Sequence, residues 1–443
     1  MKTVLVAALC GWSAAAVAGQ PVPLDAAAAR TRIDAVLERA APHLDALYKD
    51  IHAHPELAFQ ENRTAALLAG EMRKLGFQVT EHVGRTGIVA IYRNGPGPTV
   101  LVRTELDALP LQEKTVLPYA SQAQQVMDGK TTWVAHACGH DVHMAWWLGT
   151  AQALVALKDQ WRGTLMFIGQ PAEEAVGGAK AMLADGLFTR FPKPDFGFAA
   201  HVESGPLGEV RVKEGTVSSA ADGYQVVFHG RGGHGSMPSA TIDPIVMGAH
   251  FVTDVQSVIS REKDAGAFGV ITVGSFQAGT VNNIIPDQAQ LLLTLRSFTP
   301  EVRKLLSDGV ARTARAEAEM ARAPAPDINY LGGTDAVRND AALSRRAATM
   351  LQSGIGDDVR FEPAYMPPGS ASEDYSEFID AGVPSVFYVI GGYDPKVIAD
   401  FQARGVPVPT NHSPYFAPDH GPAIRRGAEV LALSVLMVMT PTS

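Results

Sequence analysis

Four short apolar runs in this chain each break off into polar residues. Residues 99–103 pass into Glu105-Leu106-Asp107, and residues 164–169 into Gln170-Pro171-Ala172-Glu173-Glu174. Residues 196–200 pass into His201, and residues 385–390 into Gly391-Gly392. Each run is β-branched or aromatic, too short for a helix and bounded by breakers, which predicts a buried strand. Helical patterns fall between and around them, over residues 25–41, 143–157, 178–185, 340–352 and 423–439. Alternating strands and helices predict an α/β fold with a mostly parallel sheet. Such sheets bind ligands beyond the carboxyl ends of their strands. Here those ends carry Asp107, Glu173, Glu174 and His201.

The middle of the chain has a different rhythm. Strand patterns at 224–230, 269–276, 288–298 and 327–331 are interleaved with helical patterns at 244–261 and 301–322. The order β-α-β-β-α-β is that of a ferredoxin-like α+β unit. Residues 221–333 therefore read as a second domain inserted into the first, which spans 19–220 and resumes over 334–443.

Composition narrows the possibilities. At 443 residues the chain has room for two or three domains of about 150 residues, and 46% hydrophobic content supports large cores. A net charge of −9 without a Lys/Arg cluster argues against nucleic acid as a partner. Lys2, the apolar run 4–18 and Ala16-Val17-Ala18 follow the pattern of a signal peptide over residues 1–18, cut near Gly19. The run falls short of the ~20 residues a membrane span needs, so the expectation is an exported, periplasmic or secreted protein with no membrane span.

Export changes the meaning of Cys138. The chain has two cysteines, and Cys10 lies within the removable segment, which leaves one thiol without a disulfide partner in an oxidising compartment. His140 lies two positions on, across Gly139, and the pair can face one ion from a turn that opens the following helix. Glu173 and Glu174 are neighbours that diverge, so one can ligate a metal while the other stays free to take a proton from water. Two other readings stay open: Cys138 as a nucleophile with a histidine base, and a metal- or peptide-binding protein without catalysis.

The segments His52 to Leu57 with Glu61, Arg103 to Pro110, His136 to Asp141, Gln170 to Glu174, Gly232 to Pro238, Ser372 to Tyr375 and Asn411 to Phe416 together resemble the M20 family of metallopeptidases. They look nearest to its branch of hippurate hydrolases and auxin-conjugate amidohydrolases. The resemblance implies two divalent metal ions, zinc or manganese with cobalt or nickel possible, held by Cys138, His140, Glu174, His201 and His412. It implies Glu173 as general base, and His234 of the inserted lid domain polarising the substrate carbonyl, often from a partner subunit. It also implies Asn282 and Arg296 as substrate-binding residues and a homodimer formed through the inserted domain. Asp107 is expected to orient a ligand histidine, while His52, His54, His136 and His143 read as structural or supporting. The implied reaction is hydrolysis of the amide bond of N-acyl amino acids or small peptides, a dipeptidase or carboxypeptidase being the alternative.

Overall fold

In the computed structural model, which describes residues 24–440, the apolar runs pair into one eight-stranded sheet. From edge to edge its strands are Gln78–Val83, Gly87–Asn94, Gly163–Gln170, Thr99–Glu105, Phe196–Pro206, Ser385–Tyr393, Val210–Lys213 and Val359–Glu362. The four central strands are mutually parallel. All seven residues of Thr99–Glu105 are buried, because helices cover both faces of a parallel sheet. Alternation sends Val100 and Val102 into one core with Trp146, Trp147 and Leu431, while Leu101 enters the other with Met182 and Phe378. The first core is roofed by the helices Ala26–Ala53, His140–Ala156, Ala341–Ile355 and His420–Met439.

The flanks depart from the expected parallel pattern. Gln78–Val83 and Gly87–Asn94 form an antiparallel hairpin that joins Gly163–Gln170 antiparallel, and Val210–Lys213 runs antiparallel to Ser385–Tyr393. The outermost of these strands is half-exposed, so its apolar signal is diluted. His201 also lies within its strand rather than after it, since pairing with Ser385–Tyr393 continues past His201 opposite Val389. The signal-peptide segment 1–18 lies outside the described residues. No helix among the described residues is long and apolar enough to cross a membrane.

The strands Gly269–Ala278, Gln288–Ser297, Ala220–His229 and Asp327–Thr334 form a separate antiparallel sheet in that order. Gln288–Ser297 alternates buried and half-buried positions, one face lying on the helices Pro244–Asp254 and Pro300–Met320. Phe228, Phe251, Leu291 and Val310 make its core. The helix expected over 244–261 stops at Asp254 and continues as a wider π turn, Val258–Glu262. That turn seats buried Val258 against Gly309, where an added Cβ would come within 2.6 Å of it.

Candidate active site

The loop before the helix His140–Ala156 is set by Gly139, whose φ of 91° is left-handed and whose absent Cβ would meet Val202 Cγ1 at 2.5 Å. The turn lets Cys138 and His140 face the same space even though His140 already opens the helix, three residues earlier than its pattern suggests. His140 Nδ1–H donates to the Asp107 carbonyl (2.8 Å), which leaves Nε2 buried, without a partner and free to face an ion. Glu174 Oε1, also buried and unpartnered, lies 3.9 Å from it. Cys138 Sγ is 3.4 Å from His201 Nε2, and His201 Nδ1–H donates to the Val202 carbonyl (2.9 Å). His412 Nε2 approaches Glu174 Oε2 at 3.4 Å, and Glu173 Oε2 stands 3.8 Å from His140 Nε2. The structure thus brings Cys138, His140, Glu173, Glu174, His201 and His412 together at a cavity of about 490 Å³; all but His140 line it.

Acidic groups dominate the surroundings of the cluster. Burial, together with Glu174 and Glu173, pushes the Cys138 thiol well up. Burial opposes charge on His140, yet Asp107, Glu105 and Glu174 outweigh it and raise the imidazole to about 10. A pocket that draws protons onto a thiol and an imidazole favours a cation. The ligand atoms of Cys138, His140 and Glu174 lie within 4.8 Å of one another, and thiolate, imidazole and carboxylate suit a divalent transition ion. The same carboxylates disfavour a free thiolate and so weigh against Cys138 as a nucleophile.

Glu105 and His143 also approach this cluster, but both nitrogens of His143 are in use. Nδ1–H donates to Glu105 Oε2 (3.0 Å) and Nε2 accepts from Val202 N–H (2.9 Å), while burial keeps the ring neutral, lowered to about 3. The pair braces the strand that carries His201. Asp107 orients a histidine as expected, and it does so through its backbone carbonyl, which holds His140. The carboxylate is 3.6 Å from Nδ1 and instead accepts the backbone N–H groups of Glu173 (3.1 Å) and Glu174 (3.0 Å). Two adjacent N–H groups at the strand end outcompete the ring because they fix both carboxylate oxygens at once.

Several supporting groups had no assigned role in the sequence reading. Fully buried Arg103 pairs with Glu105, Glu373 and Asp374, and accepts support from Gln170 (Nε–H to Oε1, 2.9 Å). An arginine in the midst of a buried apolar strand was the available signal. Buried Glu61 accepts from Thr86 Oγ–H and from the N–H groups of Phe59 and Ala172, which fixes the turn before Glu173. Asn411 Nδ2–H donates to the carbonyls of Cys138 (2.8 Å) and Val202 (3.0 Å), tying the His412 loop to both. His52 is held between Asp141 and Glu113, His54 caps its own helix end, and His136 is buried with both ring nitrogens unpartnered.

Residues 101–432 match the profile of Peptidase family M20/M25/M40. The chain belongs to this family. A Saccharolobus solfataricus protein named thermostable carboxypeptidase 2 is 33% identical over 391 residues, 87% of this chain and 92% of that one. A Campylobacter jejuni hippurate hydrolase is 38% identical over 273 residues, 61% of this chain and 68% of that one. Among solved structures, a Bacillus subtilis protein described as a dinuclear metal-binding peptidase of the M20 family superposes with a TM-score of 0.71 at 26% identity, covering 91% of this chain and all of that one. The M20 relationship makes this chain a metal-dependent amidohydrolase of the family.

Three M20-type positions lie on the inserted domain, and the structure separates them. Arg296 lines the cavity, with Nη1 buried and unpartnered. His234 and Asn282 are exposed near the paired segments Gly233–His234 and Ile284–Ile285, and neither lines the cavity of its own chain. His234 Nδ1 accepts from Ser236 N–H (3.1 Å) and Oγ–H (2.8 Å), so the proton sits on Nε2, facing outward as a donor. The cavity wall also includes Arg211, Lys213, Glu203 and Glu362, which no motif had pointed to.

Proposed function

We propose that this chain hydrolyses the amide bond between an acyl group and an amino acid. The carrying observation is one cavity that holds the Cys138–His140–Glu174 cluster and, on its wall, the unpaired guanidinium of Arg296. Cys138, His140, Glu174, His201 and His412 would hold two divalent ions, zinc or manganese, with cobalt or nickel compatible with the same donors. Such ions, when bound, lower the pKa of water and polarise a carbonyl. The remaining chemistry belongs to the chain. Glu173 takes a proton from the attacking water on its carboxylate and returns it to the leaving nitrogen. Burial, Glu373 and Glu174 raise its proton affinity, which suits a group that must hold a proton between two steps. Arg296 binds the free carboxylate of the substrate, and Asn282 helps position the carbonyl. Retention of Glu173 weighs against a binding protein without catalysis, since a binder needs no free base.

His234 donates from Nε2 to the carbonyl oxygen of a substrate held by the partner subunit. Two observations support a homodimer: His234 stands outside its own cavity, and Ile245, Val246 and Phe276 are exposed beside the open edge strand Gly269–Ala278. The signal-like pattern of residues 1–18 supports an exported protein. Similarity to the Saccharolobus carboxypeptidase favours a second reading, cleavage of short peptides, which the same Arg296 would serve.

Metal analysis and turnover of wild type and Glu173→Gln, on benzoyl-, acetyl- and indoleacetyl-amino acids and on dipeptides, test the proposal. The variant should keep its metal and lose turnover by at least about 10²-fold. An active variant removes Glu173 from its role. A metal-loaded wild type inert on the whole panel removes the function.

A further inference from the structure

We propose that the inserted domain carries a divalent-cation site of its own, formed by His250 and Asp254 of the helix Pro244–Asp254 and Glu317 of the helix Pro300–Met320. One helical turn separates His250 from Asp254, so both project from one face. Glu317 meets them from the adjacent helix, and the three ligand atoms lie within 4.8 Å of one another. Two ligands that each stand about 2.0–2.2 Å from a shared ion are about 3.3–3.6 Å apart in a tetrahedral site, so the side chains would draw in from that limit on binding.

Glu317 supplies the independent observation. It is 5% exposed, and its Oε2 is buried without any hydrogen-bond partner. Buried carboxylate oxygens are ordinarily satisfied, since leaving one bare is costly. Of the cations on these helices, Arg303 pairs with Asp222 and Asp335, Lys304 with Asp308 and Arg312 with Glu262, and no ion pair among the described residues joins Arg315 to any of the three. Asp254 receives only the Thr253 hydroxyl, at 3.3 Å. Burial and the neighbouring Asp254 push Glu317 above the usual carboxylate range. A shared proton would ease the two acids alone. The imidazole set beside them adds the nitrogen donor that zinc, cobalt or nickel takes along with carboxylate oxygen. His250 and Asp254 are exposed, so water can complete the coordination. None of the three residues lines the catalytic cavity, and an ion here would clamp the two helices of the lid together.

Cobalt(II) is a suitable probe. At the Cys138 cluster it gains a thiolate-to-metal charge-transfer band, whereas nitrogen and oxygen ligands alone produce none. Metal-free full-length wild type, His250→Ala and Glu317→Gln are titrated with Co²⁺ by equilibrium dialysis, and band intensity and hydrolysis are measured on the same samples. Wild type should bind one equivalent more than either variant, with band intensity and turnover equal in all three. Equal stoichiometry in the three proteins overturns the proposal. Loss of the equivalent together with the charge-transfer band also overturns it, because the metal would then have come from the catalytic cluster.

Discussion

Replacing Arg296 by Met tests how this enzyme reads its substrate. The period of two along Gln288–Ser297 sends Leu293 and Leu295 into the lid core and turns Arg296 to the other face, toward the cavity. There the guanidinium is already partly stripped of water, and burial lowers its proton affinity, with Asp222 as its only charged counterweight. Part of the desolvation of the arginine is therefore complete before substrate arrives. A carboxylate reaching Nη1 gains a charge-assisted hydrogen bond of about 1.5–3 kcal/mol. Its loss should lower kcat/KM roughly 10- to 150-fold. The substrate carboxylate keeps its charge throughout the reaction, so Arg296 binds ground and transition state alike, and the change should fall on KM and leave kcat nearly untouched. Met retains the apolar stem, and no ion pair within the chain is broken.

The deciding assay compares each N-acyl amino acid with its C-terminal amide. Wild type should prefer the acid, and Arg296→Met should lose that preference while hydrolysing the amide about as well as wild type does. Equal losses on acid and amide, or unchanged discrimination, would refute recognition of the carboxylate by Arg296.

Arg103→Leu leaves Glu105, Glu373 and Asp374 buried without their cation and should cost about 3–5 kcal/mol. Burial already raises Asp374 to about 8 against the opposing pull of Arg103. A carboxyl group raised in the folded state penalises folding only above its unfolded pKa, so the loss in melting temperature of the metal-free protein should be small near pH 4 and full by pH 8 or above. A pH-independent gap would falsify this account. For His52 the sign is opposite: burial resists its charge, but hydrogen bonds to Asp141 and Glu113 win and raise it to about 10. Its contribution should be full below about pH 6.5 and lost as pH rises through about 10, so the melting gap to His52→Gln, at most about 3–5 kcal/mol, should close over that window; a gap that widens sinks the assignment.

The central strands and the inserted unit were legible because burial on both faces and alternation over a core leave clear marks in sequence. Edge strands such as Gln78–Val83 were not, since their register is set by a neighbour more than by their own residues. The candidate site divides in the same way. Cys138, Glu173, Glu174 and His412 stand on turns and His140 on the first residue of a helix, where a local motif marks each of them. The roles of Arg103, Glu373, Asp374 and Asn411 depend on partners 67 to 273 residues away in sequence, and no local pattern reports such distances. Asp107 shows the limit most clearly. It was expected to orient a histidine and does so, but the use of its carbonyl for His140 and of its carboxylate for two backbone N–H groups carries no side-chain signal.

Those two N–H groups also explain how adjacent, chemically identical glutamates take different roles. Asp107 fixes the backbone of Glu173 and Glu174 together, so neither side chain can swing into the other's place. From that common anchor the environments diverge. Burial works against charge on both, but His412 and His140 face Glu174 and hold it below the usual range. Glu173 faces Glu373 and Glu174 and is driven above it. Two carboxyl groups pushed apart in this way define an acid–base assignment: the one that stays ionised is suited to bind a cation, and the one that readily takes a proton is suited to move it. Neighbouring charge, rather than residue type, separates the two.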